Sequence, residues 1–286
     1  MQGYDYLCET RLKELNPDLH RRFLDIGFVA VRLLERYKNY FPDFTDHTVN
    51  HALHVIEFCN RLIGPENVQK MNDEELYALL AGCYLHDIGM GISEELYEKT
   101  ESIVVSKSYR EAHPDAGRKE LIRAFHQEFS SYMIHRYSEL LEIPSAQQLL
   151  AVSQVARGHR KTNLYDNEEF SSGLEMPSGK KVCLPYLAVL IRLSDEMDIA
   201  ADRNLAIEYE LVDTIHRRAH AAVKGFEILD DCFLVRAYTD EEDVRKEIIS
   251  VVEKLQETLD ECVDVVETRT PYSISQKKVK LEFCRG

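Results

Sequence analysis

Asn50–Val55 reads NHALHV and Tyr84–Gly91 reads YLHDIGMG. In each stretch the three-to-four-residue apolar spacing of a buried helix face runs into ionisable groups. The row through His51 continues to Val55, Phe58 and Leu62, and the row through Asp87 arrives from Leu76, Leu80 and Cys83. The same pattern recurs at His126 (Ile122, Phe129, Met133), at His159 (Val152, Val155, Ala156) and at Asp195 (Leu184, Ala188, Ile191). A lone histidine on such a face is most often a core residue bonded to a carbonyl. Coincidence across separate helical segments needs another explanation, because a carboxylate buried alone is costly and takes up a proton. Imidazoles and carboxylates converging in a bundle core point to a metal ion, which compensates charge and lone pairs together. A donor set without thiolate suits Zn, Mn, Fe, Co or Ni.

Helical periodicity governs the first two-thirds of the chain. Helices are expected over about Asp18–Asn39, from the Thr45/Asp46 capping signal to Ile63, and from Asn72 or Asp73 to Gly89 and Gly91. Others are expected from His113-Pro114 to about Leu141, over Ser145–His159 and over Pro185–Ala200. Lys161–Lys181, with its Gly, Pro, Ser and Asn, reads as a long loop. Near Phe226–Tyr238 the pattern changes to a β-hairpin around Asp230-Asp231. A helix over Glu241–Val263 and a strand at Val279–Phe283 follow. Val251, Val252, Leu255 and Leu259 form an apolar row expected to pack on that hairpin.

The ordered set His51, His86-Asp87, Asp195 resembles the HD superfamily of metal-dependent phosphohydrolases, named for its His-Asp doublet. Three contexts resemble its HD-CE branch, found in bacterial conflict and effector systems. They are Phe44-Thr45-Asp46-His47 with His51, Leu79–Met90 (LLAGCYLHDIGM), and Ile191–Ile199 (IRLSDEMDI) with Arg203 following. The resemblance is clear over about residues 40–205. It implies a mainly α fold: an HD-type helical metal-binding bundle over residues 1–205, with a small C-terminal α+β appendage over 206–286.

By the same resemblance His51, His86, Asp87 and Asp195 hold one divalent metal. His126 and His159 stand where two-metal members carry their extra histidines, with Asp87 bridging as the catalytic carboxylate. The cofactors implied are two divalent ions among Mn, Fe, Ni, Co, Zn or Mg. The reaction implied is cleavage of a phosphoester, a mono- or diester, in a nucleotide or related small molecule. A di-iron oxygenase would use the same six ligands, and a nucleotide-sensing module without turnover would need fewer of them. His47 and His54 read as supporting or surface residues, His47 also as a substrate contact. Asp198, one turn beyond Asp195, is a rival for the metal, with Asp195 favoured by the resemblance, and Cys83 reads as core packing. Arg157, Arg160, Lys161 and Arg192 are the cations nearest these segments. Arg160 and Lys161 read as a phosphate grip, or else as cations on a solvated helix end. Gly91–Pro114 and Lys161–Pro185 are the loops expected to overhang the site.

The totals agree with a folded small-molecule protein. Of 286 residues 44% are hydrophobic, enough for a packed core, and the net charge of −15 argues against general nucleic-acid or anionic-membrane binding. The seven cysteines are odd in number and lack any C-x-x-C, which reads as reduced thiols. With no signal-peptide layout and no run of spanning length, a cytoplasmic location is expected. The appendage could also serve a homodimer.

Overall fold

The computed structural model describes residues 6–41, 47–198 and 215–284. The fold is mainly α with small sheets, as the sequence implies. α1 (Leu7–Leu15) and α2 (Pro17–Leu34) meet at Asn16, whose side chain caps α2 at the Leu19 amide. α2 tightens into a 3-10 turn over Glu35–Asn39 before Pro42. α3 (Val49–Lys70) starts later than expected, with Thr48 as its cap; Thr45 and Asp46 lie outside the described residues. Gly64 and Pro65 do not end it. Gly64 takes φ +65°, which glycine adopts without strain, and the helix resumes in a new direction with Pro65 in its first turn.

α4 (Asp73–Leu85) is buried along its whole length and is the central rod of the bundle, against which α1, α2, α3, α8 (Ala146–Arg157) and α9 (Leu184–Met197) pack. A capping box of Asn72 and Glu75 starts it. The acids of its first turn are buried but satisfied. Asp73 accepts from Lys180 Nζ at 2.6 Å, Glu74 from Gln148 Nε2 at 2.7 Å and Glu75 from the Tyr272 hydroxyl at 2.9 Å. They complement the helix N-terminus and form no vacant acidic site.

α4 ends at Leu85, short of the expected Gly89, and Ile88–Gly91 form a 3-10 turn. The segment expected as a loop over Gly91–Pro114 is largely helical: α5 (Glu94–Val104) and α6 (Lys107–Ala112), capped by Ser93 and Ser106. α7 (Arg118–Arg136) starts and ends inside its expected bounds and is interrupted at Phe125 (φ −126°, ψ 16°). The loop after α8 carries a two-residue hairpin of β1 (Leu174–Glu175) and β2 (Lys181–Val182).

α10 (Ile215–Ala222) leads into β3 (Val223–Ile228), which pairs antiparallel with β4 (Cys232–Ala237) around Asp230-Asp231 as expected. α11 (Glu242–Arg269) runs further than expected, and β5 (Lys278–Phe283) returns parallel to β4, giving the order β3-β4-β5. The apolar row of α11 covers more than the hairpin. Leu255, Leu259, Cys262 and Val266 are buried in one continuous core with Leu187 and Ile191 of α9. The expected division at residue 205 falls outside the described residues.

α11 also fixes the loop after α8. The Arg269 guanidinium donates to the carbonyls of Leu164 and Phe170, and the Tyr165 hydroxyl donates to Asp264 Oδ2 at 2.5 Å. This loop is tied down along its length and does not hang free over the site. Among the described residues no helix is long and apolar enough to cross a membrane.

Candidate metal centre

The polar ends of the five apolar rows meet at one point in the bundle. His51 lies in the first turn of α3, His86 directly follows α4, and Asp87 is the next residue. His126 follows the break at Phe125 in α7, His159 follows α8 by two residues, and Asp195 is in the last turn of α9. Each helix delivers its group from an end or a break, where side chains leave the regular helix surface and can point at a common centre. Three overlapping sets could hold a metal ion: His47, His51 and Asp87; His51, His86 and Asp195; Asp87, His126 and His159.

The ring nitrogens are sorted. His86 Nδ1 lies 2.8 Å from the Cys83 carbonyl, His126 Nδ1 2.8 Å from that of Arg123, and His159 Nδ1 2.6 Å from that of Ala156. His51 Nδ1 lies 2.6 Å from Asp198 Oδ2. A carbonyl or carboxylate can only accept, so these contacts put a proton on Nδ1 and turn Nε2 toward the centre. The Nε2 atoms then face each other. His51 and His86 are 3.1 Å apart, and His126 and His159 are 2.9 Å apart.

Asp87 stands between the pairs. Its Oδ2 is 3.6 Å from His51 Nε2 and 3.5 Å from His86 Nε2; its Oδ1 is 3.4 Å from His126 Nε2 and 3.6 Å from His159 Nε2. Asp195 Oδ1 joins the first pair, 3.0 Å from His51 Nε2.

Opposed lone pairs and carboxylate oxygens in a buried space repel unless positive charge lies among them. The protonation pattern shows this demand. Burial opposes a charge on His86, yet the carboxylates of Asp87 and Asp195 outweigh it and lift its pKa to about 9. Burial would raise Asp87, but the imidazoles of His86 and His47 hold it well below the usual carboxylate range. Asp195 is likewise held low against burial by its bond to His51. On the other side burial pushes His126 down to about 4, and burial with the His86 charge lowers His159, so both remain neutral donors. The nitrogen and oxygen set fits divalent transition ions.

Two residues support the cluster, and the role of one of them, Asp198, was not legible in the sequence. Asp198 does not compete with Asp195: its carboxylate faces Nδ1 of His51, with His54 Nδ1 3.3 Å from its other oxygen. His47 Nδ1 reaches Asp87 Oδ2 at 2.7 Å, so His47 bonds a member of the cluster directly. Asp198→Asn is expected to weaken metal binding in the His51 half about tenfold or more, as for carboxylates that orient ligating histidines. Metal titration of wild type and variant checks it, and equal affinities would leave Asp198 without this role.

The cations divide. Arg160 is part-exposed beside the centre, 3.9 Å from Glu196, and its charge helps keep His126 neutral. Lys161 is exposed. Arg157 is consumed by Glu128 and Glu169, and Arg192 is buried and bonded to the turn that carries His159. Cys83 packs in the core, its Sγ 3.8 Å from Cys59 Sγ.

No curated protein and no solved structure matches the chain. The family described as HD-CE matches it over residues 41–271, which takes in the doublet, the histidines of α7 and α8, the end of α9 and the long C-terminal helix. The chain belongs to the HD-CE family, the conflict and effector branch of the HD superfamily.

Proposed function

We propose that this chain is a metal-dependent phosphohydrolase with a binuclear His/Asp centre that cleaves a phosphoester of a nucleotide or related small molecule. The observation that carries the reading is the division of four Nε2 atoms into two facing pairs, one on each oxygen of Asp87. His51, His86, Asp195 and Asp87 Oδ2 would hold one divalent ion; His126, His159 and Asp87 Oδ1 would hold the other. Two such ions, when bound, lower the pKa of a shared water and neutralise charge on a phosphoryl group.

The chain's own residues do the rest. The three carbonyls and Asp198 hold each Nδ1–H in a hydrogen bond, so no ring has to turn before use. His51, His86 and His159 are almost fully buried, which excludes bulk water from the back of the centre. His47, His54, Asp195 and Arg160 are the members that reach solvent, and they mark the side from which a substrate enters. Arg160 supplies a guanidinium there for phosphate oxygens, with Lys161 next to it in sequence.

Protein prepared without chelator is expected to carry two divalent ions per chain. With added Mn²⁺ it is expected to release phosphate, or a phosphomonoester, from a member of a nucleotide panel. Absence of bound metal after reconstitution would overturn the reading. Two irons with oxygen uptake and no phosphate release would replace it with an oxygenase. Arg160→Gln is expected to raise KM about tenfold, the worth of one charge-assisted hydrogen bond, with little change in kcat. An unchanged KM would remove Arg160 from the substrate side.

A further inference from the structure

Arg192 is 5% exposed in α9, where Ala188, Val189, Ile191 and Leu193 near it are all buried. Each of its three guanidinium nitrogens has an acceptor. Nε donates to the Gly158 carbonyl at 2.9 Å, and Nη2 donates to the Arg160 carbonyl at 2.7 Å. Nη2 also reaches the Thr162 carbonyl at 2.8 Å and its Oγ1 at 3.0 Å. Nη1 donates to Glu261 Oε1 of α11 at 2.9 Å.

The residue between the two gripped carbonyls, Gly158 and Arg160, is His159. A side chain on Gly158 would come within 2.5 Å of Ala188 Cβ, so the turn lies directly on α9. The backbone that carries His159 is therefore seated on α9 and held from both sides by one planar fork. A buried charge is an expensive way to cover a turn, and an apolar side chain of similar size would do so at less cost. The fork contributes a defined spacing between two carbonyls, which lysine cannot reproduce.

We infer that Arg192 is a positioning residue for the His126/His159 half of the centre, and that its bond to Glu261 makes this half depend on the docking of the C-terminal helix. Arg192 itself touches none of the proposed ligands. Its effect runs through the 158–162 turn to the aim of His159 Nε2, which must meet both His126 and Asp87. The long C-terminal helix is then a working part of the site.

The inference rests on the binuclear reading, and metal occupancy tests the two separately. Wild type, Arg192→Lys, His159→Ala and the double variant are titrated with Mn²⁺ after chelation and dialysis, and each is melted in EDTA. Wild type is expected to take two ions. Arg192→Lys is expected to keep one at wild-type affinity and to bind the second at least about tenfold more weakly, the usual effect of losing an outer support. The double variant is expected to match His159→Ala, because both changes act on one half. Glu261→Gln, which leaves the buried fork intact on the turn, is expected to weaken the second ion about two- to fivefold, as for a part-exposed ion pair.

Wild-type protein with fewer than two ions would overturn the binuclear reading and the inference with it. Wild type with two ions and Arg192→Lys with both at wild-type affinity would overturn the inference alone. So would an equal weakening of both ions, the mark of a merely structural arginine. Should Arg192→Lys fail to fold, Glu261→Gln decides the coupling to the helix, and an unchanged second ion sinks it.

Discussion

On the proposed reading, Asp87→Asn is expected to prevent either ion from binding at the centre and to abolish the proposed phosphohydrolase activity. The carboxylate is shared: one oxygen faces His51 and His86, the other His126 and His159. No other residue of the cluster serves both halves, so this substitution damages each, whereas His86→Ala damages one. The amide keeps the shape but has one neutral acceptor and a donor, and the donor must point at an Nε2 pair. Ions that supply several kcal/mol of transition-state stabilisation are lost, and the rate falls roughly a thousandfold or more.

Metal-free stability should fall as well. His86 and His47 outweigh the desolvation of the Asp87 carboxylate, so the neutral isostere removes more benefit than cost and leaves the His86 charge less compensated. The contrast lies in the response to metal. Wild-type unfolding shifts upward as the ion concentration rises above its dissociation constant, and the variant's does not. Elemental analysis, phosphate release and melting with and without EDTA read these outcomes. A variant that retained the wild-type metal content would remove Asp87 from the centre.

The position of Asp87 was readable because the doublet ends an apolar row, and the same holds for His51, His126, His159 and Asp195. A polar residue that breaks a buried stripe is visible in one dimension. What the stripes could not reveal is which ring nitrogen faces inward, and that decides the role of Asp198. Spacing alone puts Asp198 near Asp195 as a rival; only the fold shows it behind His51. The role of Arg192 was hidden for a related reason: most of its donors go to backbone carbonyls, which no side-chain pattern encodes.

α5 and α6 escaped because they bury almost nothing. α5 buries only Tyr97 and Thr100, and α6 buries no residue, so neither carries a stripe to read. Their starts were marked by Ser93 and Ser106, weak signals without periodicity behind them. Gly64-Pro65 carried an ambiguous signal: the pair ends one helical direction and begins another, and sequence shows only the break.

Gly89 carries the second large prediction. Read as a helix stop in YLHDIGMG, it has a stricter role in the fold. A Cβ at this position would lie 2.2 Å from the carbonyl oxygen of His126, 2.6 Å from the Ser130 amide nitrogen and 2.9 Å from Phe129 Cβ. Two of these are backbone atoms of α7, so no side-chain rotation relieves the clash; the helix or the 3-10 turn has to move. The bond from the Gly89 amide to Ser130 Oγ, 2.8 Å, is strained by the same movement.

Among the described residues the glycines with positive φ are Gly64 and Gly179, so Gly89 is required for space and not for backbone freedom. Elsewhere Gly→Ala stabilises by restricting the unfolded chain, by roughly 0.4–1 kcal/mol. Here overpacking reverses the sign, and a loss of about 3 kcal/mol is expected, a fall in Tm of roughly 6 °C or more. Because the clash is with the carbonyl of His126, the displaced residue is itself a proposed ligand. The His126 and His159 nitrogens, 2.9 Å apart, separate, and the second ion should bind about tenfold more weakly or worse.

Gly225→Ala is the control, since a Cβ there meets nothing within 4 Å. A Gly89→Ala protein that melted at or above wild type and bound two ions normally would mean that α7 does not approach the doublet this closely. The seating of His126 against Asp87 would then need another support. If instead melting and the second ion fall together while the His51 half keeps its affinity, the glycine after the doublet sets the distance between the two halves of the centre.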